Sequence, residues 1–216
     1  MPEKRKNMVY LLNRLSSPDS TERCDAIEEL AQYRHPRVLR ALKSSLLFDP
    51  EDVVRCSAAE QLGYWEKPSV LPFLVAALAD RSWLVRGWAA AAIGDMNVIR
   101  YRTLHIQRIV EEAFRLETHP FPKLNMGYAL YRFGDRGYLD YILSLLSHRS
   151  YRIRCAVANT LLEILQENIA DTGVIYHAVE QALQTEKTVA ARESFRRVLD
   201  RLGQSIEYET ITDTEC

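Results

Sequence analysis

The chain has 216 residues, 47% of them hydrophobic and 26% charged, with a net charge of −1. That balance supplies a sizeable core and excludes the strongly basic composition of an electrostatic nucleic-acid binder. No apolar run approaches the roughly 20 residues that span a bilayer, and no hydrophobic segment follows the basic start Lys4-Arg5-Lys6, so neither a membrane span nor a signal peptide is expected. Cys24, Cys56, Cys155 and Cys216 are widely spaced. They fit neither a disulfide-rich scaffold nor a zinc set, which points to a reducing, cytoplasmic setting.

In chain order, apolar residues at spacings of three and four alternate with turn signals. Leu11, Leu12 and Leu15 precede Ser17-Pro18-Asp19, after which Arg23, Ala26 and Leu30 mark a second helix. Val38, Leu39, Leu42 and Leu46 precede Asp49-Pro50-Glu51, followed by Arg55, Ala58-Ala59 and Gly63. Leu71, Leu74, Ala77 and Leu78 lead through residues 79–82 to Arg86, Ala89-Ala90 and Gly94. Asp49 to Asp80, Arg55 to Arg86 and Gly63 to Gly94 share an offset of 31 residues. Ile106, Ile109, Val110 and Phe114 then lead through His119-Pro120 to a degenerate copy at 123–134, where Met126 replaces the arginine. Gly94 to Gly134 spans 40 residues, so about nine are inserted, at 97–102 or 117–122. Leu139, Ile142, Leu143 and Leu146 precede Ser147-His148 and the copy with Arg154, Cys155 and Leu161. Val174, Ala178, Val179 and Ala182 precede the last copy, with Arg192 and Leu199. No segment alternates with period two as a strand would.

The fold class expected is all-α: an α-solenoid, or α-α superhelix, of about six antiparallel helical hairpins. It should occupy residues 1–203, with an acidic tail, disordered or loosely docked, at 204–216. The recurring Asp, Val/Leu-Val-Arg, Ala-Ala and Leu-Gly positions resemble HEAT repeats, in particular the phycobilisome-lyase-type HEAT-like repeat, over residues 8–203. That resemblance implies scaffolds, adaptors, bilin lyases, DNA glycosylases and a metal-dependent hydroxylase as functional classes. It also implies that the repeat arginines pair with acidic residues of the inter-helix turns, for which Asp49 and Asp80 are placed. The alanine pairs and the cysteines beside the arginines are expected to pack.

The resemblance places the second helices on the concave side. Positions two, five and nine after each arginine share one face. They give Asp25 and Glu28; Glu60 and Tyr64, with Trp65 next; Trp88 and Asp95; Tyr128, Tyr131 and Asp135; then Asn159 and Glu163. This surface is acidic and aromatic, with basic members, Arg197 and Arg201, only in the last helix. Aromatic anchors among carboxylates favour a basic protein partner over phosphates. Chemistry has less support. The five histidines are scattered, and no His-Glu dipeptide, Gly-x-Ser-x-Gly or P-loop occurs. Trp88, Asp95 and Arg132 could serve a DNA glycosylase, but an acidic groove makes nucleic acid an unfavourable partner. No catalytic residue, metal or cofactor is assigned. The expectation is a non-enzymatic, cytoplasmic protein-binding solenoid, in one version an immunity protein that neutralises a cationic bacterial toxin. A scaffold or adaptor and a bilin-lyase-like subunit are the alternatives.

Overall fold

The structure, a computed structural model, describes residues 2–65, 67–96, 104–166 and 172–212. Among them every regular element is helical. The helices are α1 (Pro2–Arg14), α2 (Ser20–Leu30), α3 (Pro36–Phe48), α4 (Asp52–Gly63), α5 (Leu71–Ala77), α6 (Trp83–Asp95), α7 (Leu104–Leu116), α8 (Pro120–Arg132), α9 (Tyr138–Ser144), α10 (Tyr151–Gln166), α11 (Thr172–Thr185) and α12 (Val189–Thr212). Short 3-10 turns at Pro68–Val70 and Leu145–Ser147 flank α5 and α9. Six helical hairpins result, as the repeat pattern implies. The chain forms two compact units, Met1–Arg136 and Gly137–Cys216. Residues 204–212 continue α12, and 213–216 lie outside the described residues.

The turn residues start the helices as their chemistry dictates. Asp19 accepts from the Thr21 N–H at 2.8 Å and caps α2. Three of the scattered histidines do similar work. The Nδ1 atoms of His35, His119 and His148 accept from the backbone N–H two residues on, at 3.1, 3.3 and 3.1 Å. Pro36 and Pro120 fill the first turns of α3 and α8, where a missing N–H costs nothing. Gly134 has φ 101°, and the Asp135 N–H donates to Leu130 O at 3.2 Å, closing α8 with a left-handed cap.

In the first unit each hairpin closes on itself, and α2, α4, α6 and α8 pack in succession as one layer. Ile27, Leu30, Leu42, Leu62, Leu74, Ile93 and Leu124 are fully buried between the layers. Each such side chain stabilises the fold by about 1.5–3 kcal/mol. Small residues set the helix spacing. A Cβ on Gly63 would lie 3.1 Å from Ala92 Cβ, and one on Gly94 would lie 3.0 Å from the Tyr128 ring and 3.1 Å from Ala129 Cα. In the second unit α10 and α11 pack on α12, burying Leu161, Ile164, Ile175, Val179, Phe195 and Val198.

The recurring arginines tie successive hairpins together. Arg23 donates to Asp49 through two bonds of 2.8 Å, and to the carbonyls of Ser17 and Pro18. Arg55 repeats this with Asp80, at 2.8 and 2.9 Å, and with the carbonyls of Asp49 and Pro50. Arg86 grips Glu117 at 2.6 and 3.1 Å. In the second unit Arg154 grips Glu186, through Nε and through Nη2 at 2.7 Å. Each carboxylate also accepts a backbone N–H at the start of the next second helix: Glu51, Ser82, His119 or Thr188. One carboxylate thus caps a turn and locks a neighbour. The equivalent position in α8 is Lys123 rather than Met126: like the arginines it is the fourth residue of its helix, and its N–H donates to the cap residue His119 as those of Arg55 and Arg86 do to Glu51 and Ser82, while Met126 is buried three residues on. Arg192, in the last helix, is exposed and makes no ion pair among the described residues.

The same locks explain the site of the inserted residues. Arg55 reaches its acid 25 residues on, whereas Arg86 reaches Glu117 after 31. Residues 117–122 keep the ordinary turn geometry, so they are not the insertion. Part of the extra length is α7, which has 13 residues against 7 in α5. The other position considered, 97–102, lies outside the described residues.

Candidate protein-binding surface

The second-helix face of the first unit presents the carboxylates expected there. Asp25 and Glu28 are exposed on α2, Glu60 is half-buried on α4, and Asp95 keeps a solvent edge at the end of α6. Burial, then the Glu28 carboxylate, then Asp95, hold the Glu60 carboxyl above the ordinary range. Burial also pushes Asp95 up, against the opposing pull of the Tyr128 hydroxyl and Arg132. Glu60 therefore sits between two like charges on neighbouring helices. Neither Glu28 nor Glu60 makes an ion pair among the described residues. Asp25 is different: Arg14 of α1 approaches it at 3.8 Å and Glu29 at 3.4 Å.

The aromatic residues divide into two groups. Tyr64 is 57% exposed and Trp88 is half-buried, so both offer surface. Trp65, Tyr128 and Tyr131 are 5%, 3% and 3% exposed and serve mainly as packing. The chain's own cations cover them. Arg34 and Lys67 each lie 5.3 Å from the Trp65 ring centre. Arg132 lies 5.6 Å from that of Tyr128, and Arg136 lies 5.5 Å from that of Tyr131. Arg132 donates to the Tyr128 hydroxyl at 2.8 Å, which donates to Asp95 Oδ1 at 2.9 Å. Asp95 and Arg132, two members of the glycosylase trio, thus meet on a buried tyrosine.

Basic residues on this face are not confined to the last helix. Arg14 and Arg132 reach it, and sequence position had placed neither among its members. The signal for Arg132 was present: it follows Tyr128 by four residues, the spacing of one helix face. Asp135 is exposed beyond the cap of α8. In the second unit Asn159 and Glu163 are exposed on α10, and the Asn159 side-chain oxygen accepts from Arg197 at 3.4 Å. The repeat cysteines pack as expected only in part. Cys56 is buried, and burial pushes its thiol up to about 12, while Cys24 and Cys155 keep partial exposure.

On the other side of the first unit, an apolar groove of about 460 Å³ runs between α5 and α7. Val75, Leu78, Ile109, Ala113 and Met126 line it, with the Arg86–Glu117 lock in its wall. None of the expected surface residues borders it.

Stacked hairpins locked by arginine–carboxylate pairs define the chain as an α-solenoid of HEAT-like hairpins. Residues 8–94 match the family model of HEAT repeats, and this stretch is made of them. Three solved structures are similar. One is an engineered protein, 17% identical, covering 92% of this chain and 97% of that chain with a TM-score of 0.45. Another is the complex of CpcE and CpcF of phycocyanin lyase from Nostoc sp. PCC7120, 16% identical, covering 89% and 93% with a TM-score of 0.46. The third is human deoxyhypusine hydroxylase in complex with glycerol, 18% identical, covering 91% and 84% with a TM-score of 0.43. No curated protein matches the chain. Among the described residues, no helix is long and apolar enough to cross a membrane.

Proposed function

We propose that the chain is a non-enzymatic protein-binding solenoid whose carboxylate row receives a basic segment of a partner protein. The observation that supports this most is the Glu28–Glu60–Asp95 row across α2, α4 and α6. Burial, then repulsion by Glu28 and Asp95, disfavours the charged form of Glu60, and burial disfavours that of Asp95; an incoming ammonium or guanidinium would relieve both costs. The nearby repeat arginines cannot do so, because Arg23, Arg55 and Arg86 are held by their own acids. The exposed Tyr64 at the end of α4 and the half-buried Trp88 on α6 supply aromatic surface on the same helices. A partner that is a cationic toxin, with this chain as its cytoplasmic immunity protein, fits that chemistry, since opposite charge speeds encounter. An assembly adaptor uses the same surface.

The test is a titration of the full chain with a labelled hexalysine peptide, alongside recovery of partners from native lysate. The Glu28→Lys/Glu60→Lys variant should lose the peptide and any stoichiometric partner while keeping its helicity. Retention of both, or co-purification of DNA or a tetrapyrrole instead of protein, would contradict the proposal.

A further inference from the structure

The first hairpins carry the opposite charge on another side. Residues 31–48 include Arg34, Arg37, Arg40 and Lys43 and no carboxylate. Successive three-residue steps make Arg37, Arg40 and Lys43 neighbours in turn along α3, about 4.5 Å apart along its axis. Arg34, Arg37 and Arg40 are exposed. Lys43 lies 4.4 Å from the Phe73 ring centre and donates to the Ser69 carbonyl at 2.7 Å, which joins α3 to the turn at Pro68–Val70. That turn follows Lys67, which shares the Trp65 ring with Arg34. Burial, and then the Lys67 charge, hold the Lys43 pKa below the ordinary lysine value.

None of these five cations makes an ion pair among the described residues, in contrast to the three locked arginines of the same unit. Aromatic rings hold three of them in place, and cation–π contacts contribute about 0.5–1 kcal/mol each at exposed sites. The N-terminal end of α3 adds positive potential beside Arg34. The Trp65 Nε1–H is buried and has no hydrogen-bond partner among the described residues. The Lys67 charge disfavours the charged Lys43, and an anion set between them removes that cost.

We propose that this edge, formed by Arg34, Arg37, Arg40, Lys43 and Lys67 around Trp65, is a second binding site that takes an acidic segment of a partner protein. It is separate from the carboxylate row and shares no residue with it. Nucleic acid fits less well. Firm binding to a duplex uses on the order of 6–10 phosphate contacts, whereas this edge has five cations, one of them turned to a carbonyl. A short acidic peptide needs only the three or four that remain free.

The experiment is fluorescence anisotropy of a labelled hexaglutamate peptide with the full chain, at low salt and at about 0.3 M salt. Binding should appear at low salt and weaken about tenfold or more at the higher salt. It should fall about tenfold in the Arg37→Gln/Arg40→Gln variant and in Arg34→Gln/Lys67→Gln. Arg37 and Arg40 are exposed on a helix surface, so the first variant keeps the question open to test if the second disturbs the Trp65 packing. Glu28→Gln/Glu60→Gln should leave hexaglutamate binding intact, which separates this site from the proposed function. Absence of binding by the unaltered chain, or equal binding by Arg37→Gln/Arg40→Gln, overturns the proposal. So does tighter binding of a single-stranded oligonucleotide of equal charge. Self-association in sedimentation that Arg37→Gln/Arg40→Gln abolishes would make the occupant a second copy and overturn it too.

Discussion

At the scale of single residues, one guanidinium in each of four hairpins, Arg23, Arg55, Arg86 and Arg154, does two jobs. It ties the preceding turn's carbonyls to the next turn's carboxylate, and that carboxylate caps a helix. Removing one partner of such a buried pair leaves the other charged and unsolvated. Arg55→Leu should therefore lower unfolding free energy by about 3 kcal/mol in chemical denaturation. Arg192→Leu changes the same repeat position where, among the described residues, no ion pair is made, and should shift stability by no more than about 0.5 kcal/mol. Equal effects at the two positions would show that the lock is not the source of the stability. Glu60 is the reverse case. Its charge is disfavoured in the fold, so Glu60→Gln should hold or raise the melting temperature at neutral pH while weakening a basic ligand. Residues kept at a cost to stability are what a binding surface leaves behind.

At the scale of helices, the spacing of the second-helix layer depends on missing side chains. Gly63→Ala gains about 1 kcal/mol of helix propensity, but its Cβ would press on Ala92 Cβ and Cα at 3.1 and 3.2 Å. Overpacking costs about 1–3 kcal/mol, so the net effect should be a loss. Gly203→Ala, inside α12 with nothing within 4 Å of the new Cβ, should instead gain about 0.5–1 kcal/mol. Thermal melts of the two variants, moving in opposite directions, check this.

The helices and their turns were legible because they recur at a fixed spacing, and Asp49 and Asp80 as lock acids because the HEAT resemblance implies an acid in the inter-helix turns. Glu117 and Glu186 were not, since they change both residue type and offset, to 31 and 32 residues. The histidines looked scattered because their shared role as helix starters shows only in backbone hydrogen bonds. Counting from Met126 put Tyr128 and Tyr131 on the binding face, yet both are buried; counted from Lys123, Tyr131 falls at the packed position that Gly63 and Gly94 hold in α4 and α6. Periodicity fixes the side of a helix, not how far its neighbour covers that side. The space left by Gly94 against the Tyr128 ring decides it, and that depends on which helix comes to lie there.

At the scale of the whole molecule, a near-neutral net charge conceals two opposed groups of charge in the first unit and acid locks in both units. The pH response should show this. Arg154, despite burial, and the Thr188 N–H hold Glu186 down to about 2, and Arg locks hold Asp80 and Glu117 below their ordinary values against burial. A depressed carboxyl contributes stability that is complete above its ordinary value and lost as pH falls through the folded one. Acid titration should therefore show stability falling from about the ordinary 4.5 towards about 2. Glu60 and Asp95, raised in the fold, act the other way: stability should first rise as pH falls from neutrality through their folded values. Glu60→Gln should diminish that rise, and melting temperature against pH is the readout.

The central claim is that the carboxylate row, and not the repeat framework around it, makes the contact with a basic partner. The most direct test compares hexalysine binding and melting temperature for the unaltered chain and for Glu28→Gln/Glu60→Gln. Binding lost with melting temperature unchanged or raised is the predicted result. Binding retained, or lost only together with the fold, would contradict it.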